Sequence, residues 1–330
     1  MTTSPPSAPD ALARFRRWVA VAVAIASLGW LLYALVTGFG ATAEQLWDFD
    51  WRFAVPVLGL TLVNYGLRCF KWHYLLGRLG IRIPWRVDLW IFGAGLAMVI
   101  SPAKAGEVVK PYLVKVVTGE PIERTLPALV TERVTDGIAV VALAAVGVST
   151  FYAEGAAALA WTIGAIAAGL GLVAVRPLAT AVLALLRRLP WMGEWLFSKL
   201  DPMYRAMRQC VAPVPLAVTL LVSLVAWFAE CIGYWLVLRG AGVHTGLDAA
   251  TFLYAFSTVA GGPSPGGLGI SDALLGELSE RIAGATSAQG VASSLLIRFA
   301  TLWFGVILGA IALLRIESVL ASSPPREVSS

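Results

Sequence analysis

Charge is what this sequence has least of. Only 14% of its 330 residues are Asp, Glu, Lys or Arg, 58% are hydrophobic, and the mean hydropathy is +0.77. A soluble domain carries roughly 25% charged residues, and so few charges cannot solvate a globular surface of this size. An ordinary soluble enzyme is excluded, and so is a disordered chain. Histidine is scarce as well: His73 and His244 are too few for a His-rich metal centre. The three cysteines, Cys69, Cys210 and Cys231, are odd in number, far apart and without a CxxC pair. That pattern argues against a disulfide framework or a structural zinc site. The sequence also lacks a Walker loop, an HExxH, a GxSxG and any Ser/His/Asp set. We therefore expect no catalytic activity, no cofactor and no metal. The net charge of +5 invites a nucleic-acid partner, but in a membrane protein the placement of positive charge outweighs its sum. No nucleic-acid partner is expected.

What the chain has in abundance is long apolar runs. Residues 1–13 and 318–330 read as disordered tails around a membrane domain spanning 14–317. Arg14, Arg16 and Arg17 precede a charge-free run at 18–43. It is longer than the roughly 7–15 residues of a signal h-region, so it reads as a retained helix. Five further unbroken segments, at 53–74, 126–152, 155–175, 213–238 and 290–316, approach or exceed the ~20 residues a bilayer span needs. Two more apolar stretches, 87–117 and 249–282, are interrupted at Ser101-Pro102 and by the Gly261–Gly267 run of glycine and proline.

Charge placement decides how these broken stretches run. If both enter and return as hairpins, twenty of the 25 Lys and Arg lie inside. Three (Arg52, Arg239, Arg281) then lie outside, and Arg133 and Arg298 stay within the membrane. If both cross, eleven face twelve, against the positive-inside tendency. The second hairpin rests instead on its Gly/Pro run, which cannot continue one straight helix. The expected location is a prokaryotic plasma membrane with both termini cytoplasmic. Ser101-Pro102-x-x-x-Gly106 recurs half a chain later as Ser264-Pro265-x-x-x-Gly269, in halves at 14–152 and 155–316 that start from opposite faces. Inverted repeats with broken helices are a secondary-transporter architecture. The expected fold is an all-α polytopic membrane protein with about six full spans plus two re-entrant helical hairpins in an inverted repeat. Between the fourth and fifth spans, the basic segment 176–212 reads either as interfacial helices on the cytoplasmic leaflet or as a connector packed on the protein.

Charges inside spans cost a few kcal/mol each and need a partner or an aqueous cavity. The candidate cations are Arg68, Lys71, Lys104, Arg133 and Arg298; the candidate anions are Glu107, Glu132, Asp136, Glu230 and Asp272. They read as helix-joining salt bridges one by one, and as a polar site when taken as a set. Ser at N-cap with Pro at N1 starts helices, so Ser101-Pro102 and Ser264-Pro265 are expected to begin half-helices. A half-helix starting inside the membrane points N–H groups and a positive dipole end at the cavity, suited to phosphate or carboxylate. Gly266, Gly267 and Gly269 would admit a ligand close to the backbone. The alternative, that Gly and Pro only form a tight turn, carries equal weight. Glu132 and Asp136 share a helical face as a metal-binding acid pair might, without a third clustered acid in the sequence.

These residues resemble the lysylphosphatidylglycerol synthase transmembrane region family, also called flippase-like membrane proteins. Arg68-Cys69-Phe70-Lys71-Trp72 with Leu75-Leu76 is similar to its basic-Trp-Leu-Leu signature. Pro102 through Gly106-Glu107, Glu132-Arg133-x-x-Asp136, the Pro265–Gly269 turn, and Arg298 with Trp303 and Gly309 resemble its remaining motifs. Where members usually carry Glu three residues after the PGGLG turn, this chain has Asp272, with the same charge and a shorter reach. The resemblance covers the membrane part and not the soluble aminoacyl-transferase domain that synthases carry. It implies movement of a lipid between leaflets. We expect a lipid flippase or lipid-handling transporter whose partner is a membrane lipid with an anionic headgroup, a phospholipid or a polyprenyl-phosphate-linked sugar. The competing readings are an ion-coupled carrier of a small anion and an accessory protein for a membrane-bound synthase or glycosyltransferase.

Overall fold

The computed structural model describes residues 39–101, 106–151, 157, 160–164, 168, 194–262 and 264–322. The N-terminal tail, residues 323–330 of the C-terminal one, most of the predicted spans at 18–43 and 155–175, residues 176–193 of the basic segment, residues 102–105 and Pro263 lie outside the described residues. Residues 318–322, expected to be part of the C-terminal tail, continue a helix to Ser322. Among the described residues every regular element is helical: α1 (Phe39–Trp47), α2 (Ala54–Arg78), α3 (Trp85–Ala97), α4 (Val109–Thr118), α5 (Ile122–Phe151), α6 (Glu194–Cys210), α7 (Pro213–Gly240), α8 (Leu247–Ala260), α9 (Ile270–Ala283), α10 (Ser287–Arg298) and α11 (Phe304–Ser322).

Among the described residues three helical stretches are long and apolar enough to cross a membrane: Trp51–Arg78, Pro213–Gly240 and Ser287–Ile316. Helix α5 has 30 residues, about 45 Å at 1.5 Å per residue, so its length suffices although charges interrupt its apolar character. The broken stretches behave differently. Helices α3 and α4 have 13 and 10 residues, and α8 and α9 have 14 each. At 15–21 Å or so, each falls short of the ~30 Å hydrocarbon core.

The long helices hold the short ones. Asn64 of α2 donates to the Ala226 carbonyl of α7 at 2.9 Å, within an extended α2–α7 contact. Helix α3 packs along α11, and α8 packs along α5. A Cβ built on Gly309 would lie 2.2 Å from the Ala97 amide nitrogen, and one on Gly93 would lie 2.6 Å from the Ala312 Cβ. Small residues thus let α3 and α11 approach at backbone distance, the usual solution where lipid supplies no hydrophobic drive between helices.

The predicted unbroken span at 290–316 carries a feature absent from its reading: one π-helical turn, Phe299–Trp303, directly after Arg298. A π turn lengthens the hydrogen-bonded ring by a residue and takes carbonyls off the α-helical ladder. The Thr301 carbonyl is met by the Tyr65 hydroxyl of α2 at 2.7 Å. Helix α6, the described part of the basic segment, packs along α5. It buries Ala206 and Cys210, and brings Met207 Sδ to 3.5 Å from the Thr131 hydroxyl.

Candidate functional site

Three helices bring charges together. Glu132, Arg133 and Asp136 occupy neighbouring positions on α5, Arg68 and Lys71 lie one turn apart on α2, Lys110 is in the first turn of α4, and Glu107 just precedes it. Every one of them except Arg133 is buried. The Lys71 ammonium sits among four oxygens: it bonds the Asp136 carboxylate, the Ser223 hydroxyl of α7 at 2.7 Å, the Glu132 carbonyl at 3.2 Å and the Thr135 hydroxyl at 3.3 Å. Lys110 reaches Glu132 at 2.6 Å and Glu107 at 3.5 Å, and lies 4.6 Å over the Trp72 ring. Arg133 bonds Glu132, with Asp136 at 3.2 Å and Glu107 at 3.4 Å.

The acid pair at 132 and 136 does gain a third carboxylate, Glu107, yet the lysine and arginine heads already occupy the space among the three. Among the described residues no group of acids, histidines and cysteines could hold a metal ion. Lys110 is the member that the sequence reading missed. Its signal was visible as Glu107 and Lys110 at i, i+3, but Lys110 was counted as a cytoplasmic loop charge. Arg68 and Lys71 were likewise counted as inside charges, and the structure buries them. Lys104, expected in this set, lies outside the described residues.

Arg68 differs from its neighbours. It is 6% exposed, and its nearest acid contacts are ion pairs at 3.6 Å to Asp136 and 3.9 Å to Glu132. Its Nε is buried without a hydrogen-bond acceptor among the described residues. The same side chain lines a cavity of about 70 Å³ with Glu230, Tyr254, Gly266, Gly267, Ser271 and Arg298. At ~30 Å³ per water in the liquid, the cavity holds two or three waters. The Tyr254 hydroxyl donates to Glu230 at 2.6 Å across α7 and α8.

The second broken stretch forms the wall opposite. Ser264 does precede a helical turn, but only the single 3-10 turn Pro265–Gly267, and its hydroxyl donates back to the Gly261 carbonyl at 2.8 Å. Gly266, Gly267 and Gly269 have φ of +60°, +76° and +83°, the left-handed region that favours glycine. The half-helix α9 therefore starts at Ile270, five residues later than Pro265. Its first orphan N–H groups face the chain's own acid: Asp272 Oδ2 accepts from the Gly269 amide at 2.9 Å. Arg298 donates from Nε to Asp272 Oδ1 at 2.7 Å and from Nη2 to the Gly266 carbonyl at 2.7 Å. The Arg298 head fills the space beside Gly267 that a Cβ would need. Of the two readings of this run, the structure shows the tight turn, braced by Arg298.

In the first broken stretch residues 102–105, where the expected half-helix would begin, lie outside the described ones, and what the structure shows is the seat of Ser101. Its hydroxyl accepts from the Gly106 amide at 2.7 Å and donates to the Met98 carbonyl at 2.7 Å. It thereby ties the end of α3 to the turn that leads into α4. The half-helix expected at Ser264 starts late for a local reason: a Ser-Pro pair starts a turn as readily as a helix, and local residues cannot say how far that turn continues.

A family model described as the lysylphosphatidylglycerol synthase TM region matches residues 17–309. The match spans well over half of the chain, which therefore belongs to that family of membrane proteins related to lipid metabolism. No curated protein matches the chain.

Proposed function

We propose that this chain is a lipid flippase or lipid-handling transporter and not an enzyme, built from about six full spans and two re-entrant hairpins in an inverted repeat. Its setting is a prokaryotic plasma membrane, with both termini cytoplasmic. Three observations favour the repeat. The short helices of each half are too short to cross, α3 leans on α11 while α8 leans on α5, and α2 meets α7 at the centre. Exchange of short arms between halves is the pairing that a two-fold axis in the membrane plane produces.

Arg68 is the observation that carries the transport reading. A buried guanidinium whose acid partners stand beyond hydrogen-bond length has donors to offer, and it offers them to a cavity. A guanidinium fork matches phosphate oxygens in pairs. An anionic headgroup entering here would meet Arg68 first. Arg298, already committed to Asp272 and Gly266, would hold the glycine turn in place beneath it. Lys71, Lys110 and Arg133 would keep the three acids of the network neutralised, so that these do not repel the phosphate. Glu230, bonded by Tyr254 beside the cavity, is placed to exchange a proton as the headgroup arrives or leaves. Acyl chains would remain in lipid while the headgroup crosses.

Reconstitution into vesicles containing labelled anionic lipids tests this reading. The wild-type chain should move label between leaflets, Arg68→Gln should slow the movement at least tenfold, and Arg68→Lys should restore only part of it. No movement of any anionic lipid class by the wild-type protein overturns the proposal. The size of the cavity favours a second reading, ion-coupled carriage of a small anion, because two or three waters' worth of space admits an inorganic anion without opening. Uptake of labelled phosphate into the same vesicles, without lipid movement, would decide for that carrier.

A further inference from the structure

The end of the α2–α7 pair carries a second basic feature, away from the ion network. Arg78, Arg205, Arg208 and Gln209 line an open groove of about 640 Å³ with Ala212, and no carboxylate of the described residues lines it. We propose that this groove docks the phosphate headgroup of an anionic phospholipid from the adjoining leaflet. The proposal does not depend on transport.

Position is the first argument. Arg78 is the last residue of α2, and Ala212 is the N-cap of α7. Both helices are long and apolar enough to cross, so the groove lies where two spans end and lipid phosphates gather. Charge is the second. Arg205, Arg208 and Gln209 follow one another at i, i+3 and i+4, on the exposed face of α6 opposite buried Ala206 and Cys210. Lys199, on the same helix, is bound by Glu123 of α5 and points its charge elsewhere. Guanidinium groups lining one concavity suit a phosphodiester better than a carboxylate-bearing peptide, since a fork can take two phosphate oxygens.

The end of α7 adds a third element. No side chain caps its first turn, and prolines fill positions 213 and 215. Those prolines leave few backbone donors for an anion, so the arginine side chains would hold it, beside the positive end of the helix dipole. Val214, 67% exposed, begins the lipid-facing side beside the groove. A ligand with a phosphate and an adjoining acyl chain matches that pairing of charge and apolar surface. A free phosphate matches only half of it.

Each arginine near a membrane surface contributes about 1 kcal/mol to binding of anionic lipid, close to fivefold, so losing three should weaken binding on the order of 100-fold. The test uses the purified full-length chain in mild detergent, with lipid binding counted by native mass spectrometry. Phosphatidylglycerol, phosphatidylcholine and glycerol 3-phosphate are titrated separately. The wild-type chain should take phosphatidylglycerol at least tenfold more tightly than the other two. The variant Arg78→Gln/Arg205→Gln/Arg208→Gln should lose that preference, while Arg281→Gln, an exposed arginine of α9 paired with Glu277 at 2.9 Å, should keep it. That last arm separates loss of the groove from loss of surface charge in general. All three arginines are exposed, so the melting temperature of the triple variant should match the wild type. If it falls, Arg78→Lys/Arg205→Lys/Arg208→Lys replaces it and should show an intermediate, several-fold loss. Equal binding of phosphatidylglycerol by either triple variant and the wild type overturns the proposal. So does equal binding of the two lipids by the wild type. Binding of glycerol 3-phosphate as tight as that of phosphatidylglycerol would assign the groove to a soluble anion and overturn it too.

Discussion

Arg298 and Asp272 divide the work of closing the glycine turn between the two oxygens of one carboxylate. Oδ1 takes the Arg298 Nε at 2.7 Å, and Oδ2 takes the Gly269 amide at 2.9 Å. The arginine's other arm reaches the Gly266 carbonyl at 2.7 Å. The shorter side chain of Asp272 still meets both of its partners, so this chain needs no glutamate at that position to close the turn. Removing one partner of a buried pair strands the other, at a cost of about 3–5 kcal/mol. Arg298→Gln should therefore lower the melting temperature in detergent sharply. Arg298→Lys should recover only part of the loss, because a compact ammonium lacks the planar fork whose Nε and Nη2 reach the two acceptors from different edges. An unchanged melting temperature in Arg298→Gln would show that the turn stands without its brace.

Lys71 and Asp136 form the densest contact of the network. Lys71→Met should destabilise strongly, because Asp136 then loses its closest cation and keeps Arg133 at 3.2 Å, Arg68 at 3.6 Å and the Ser223 hydroxyl at 2.9 Å. Asp136→Leu should do the same by leaving the Lys71 ammonium under-bonded. The double variant should cost less than the sum of the two, with a coupling energy above about 1 kcal/mol in a thermal-shift cycle. Arg68→Gln should cost less stability than Lys71→Met, since Arg68 contributes no short bond to the network.

Helix α3 and helix α11 meet without room for a side chain. Gly309→Ala would push a methyl group to 2.2 Å from the Ala97 amide nitrogen, which is main chain and cannot swing aside. We expect a loss of about 1–3 kcal/mol, visible as earlier thermal unfolding. Gly59→Ala on α2 is the control, because nothing lies within 4 Å of its Cβ position. There the better helix former should be neutral or should raise stability by up to ~1 kcal/mol.

Before α2, the Asp50 carboxylate accepts from the Arg52 amide at 3.2 Å and from the Arg52 side chain at 2.8–3.2 Å. The Arg52 side-chain hydrogen bond holds the Asp50 carboxyl below the usual carboxylate range. A depressed folded-state pKa stabilises above the unfolded value and is lost as pH falls through the folded one. Amide exchange at Arg52, corrected for its intrinsic pH dependence, should stay protected at pH 6 and lose protection in acid below the ordinary carboxylate pKa. Asp50→Ala should remove that pH dependence.

Composition and spacing alone determined a good deal. Scarce charge assigned the chain to a membrane, and the apolar runs at 53–74, 126–152 and 213–238 lie within α2, α5 and α7 to within a residue or so at their ends. Such segments are legible because a helix in lipid satisfies its own backbone, so its limits follow from local hydropathy and caps. The breaks at Ser101-Pro102 and in the glycine run were legible for the same reason. Glu132, Arg133 and Asp136 stood out as charges inside an apolar helix.

Which charges meet was decided only in three dimensions. Lys110 reads as a charge of the inside face, and Lys71 as an in-span cation without a named partner, until α4 and α2 are laid against α5. The half-helix α9 starts at Ile270 because Asp272 and Arg298, 26 residues apart, close the turn ahead of it. The π turn after Arg298 follows from no local residue preference, and its Thr301 carbonyl finds its acceptor role only because Tyr65 of α2 stands opposite. Hydropathy is a property of each segment, whereas the partner of a buried charge is set by helix packing, which brings residues from distant parts of the chain within hydrogen-bond reach.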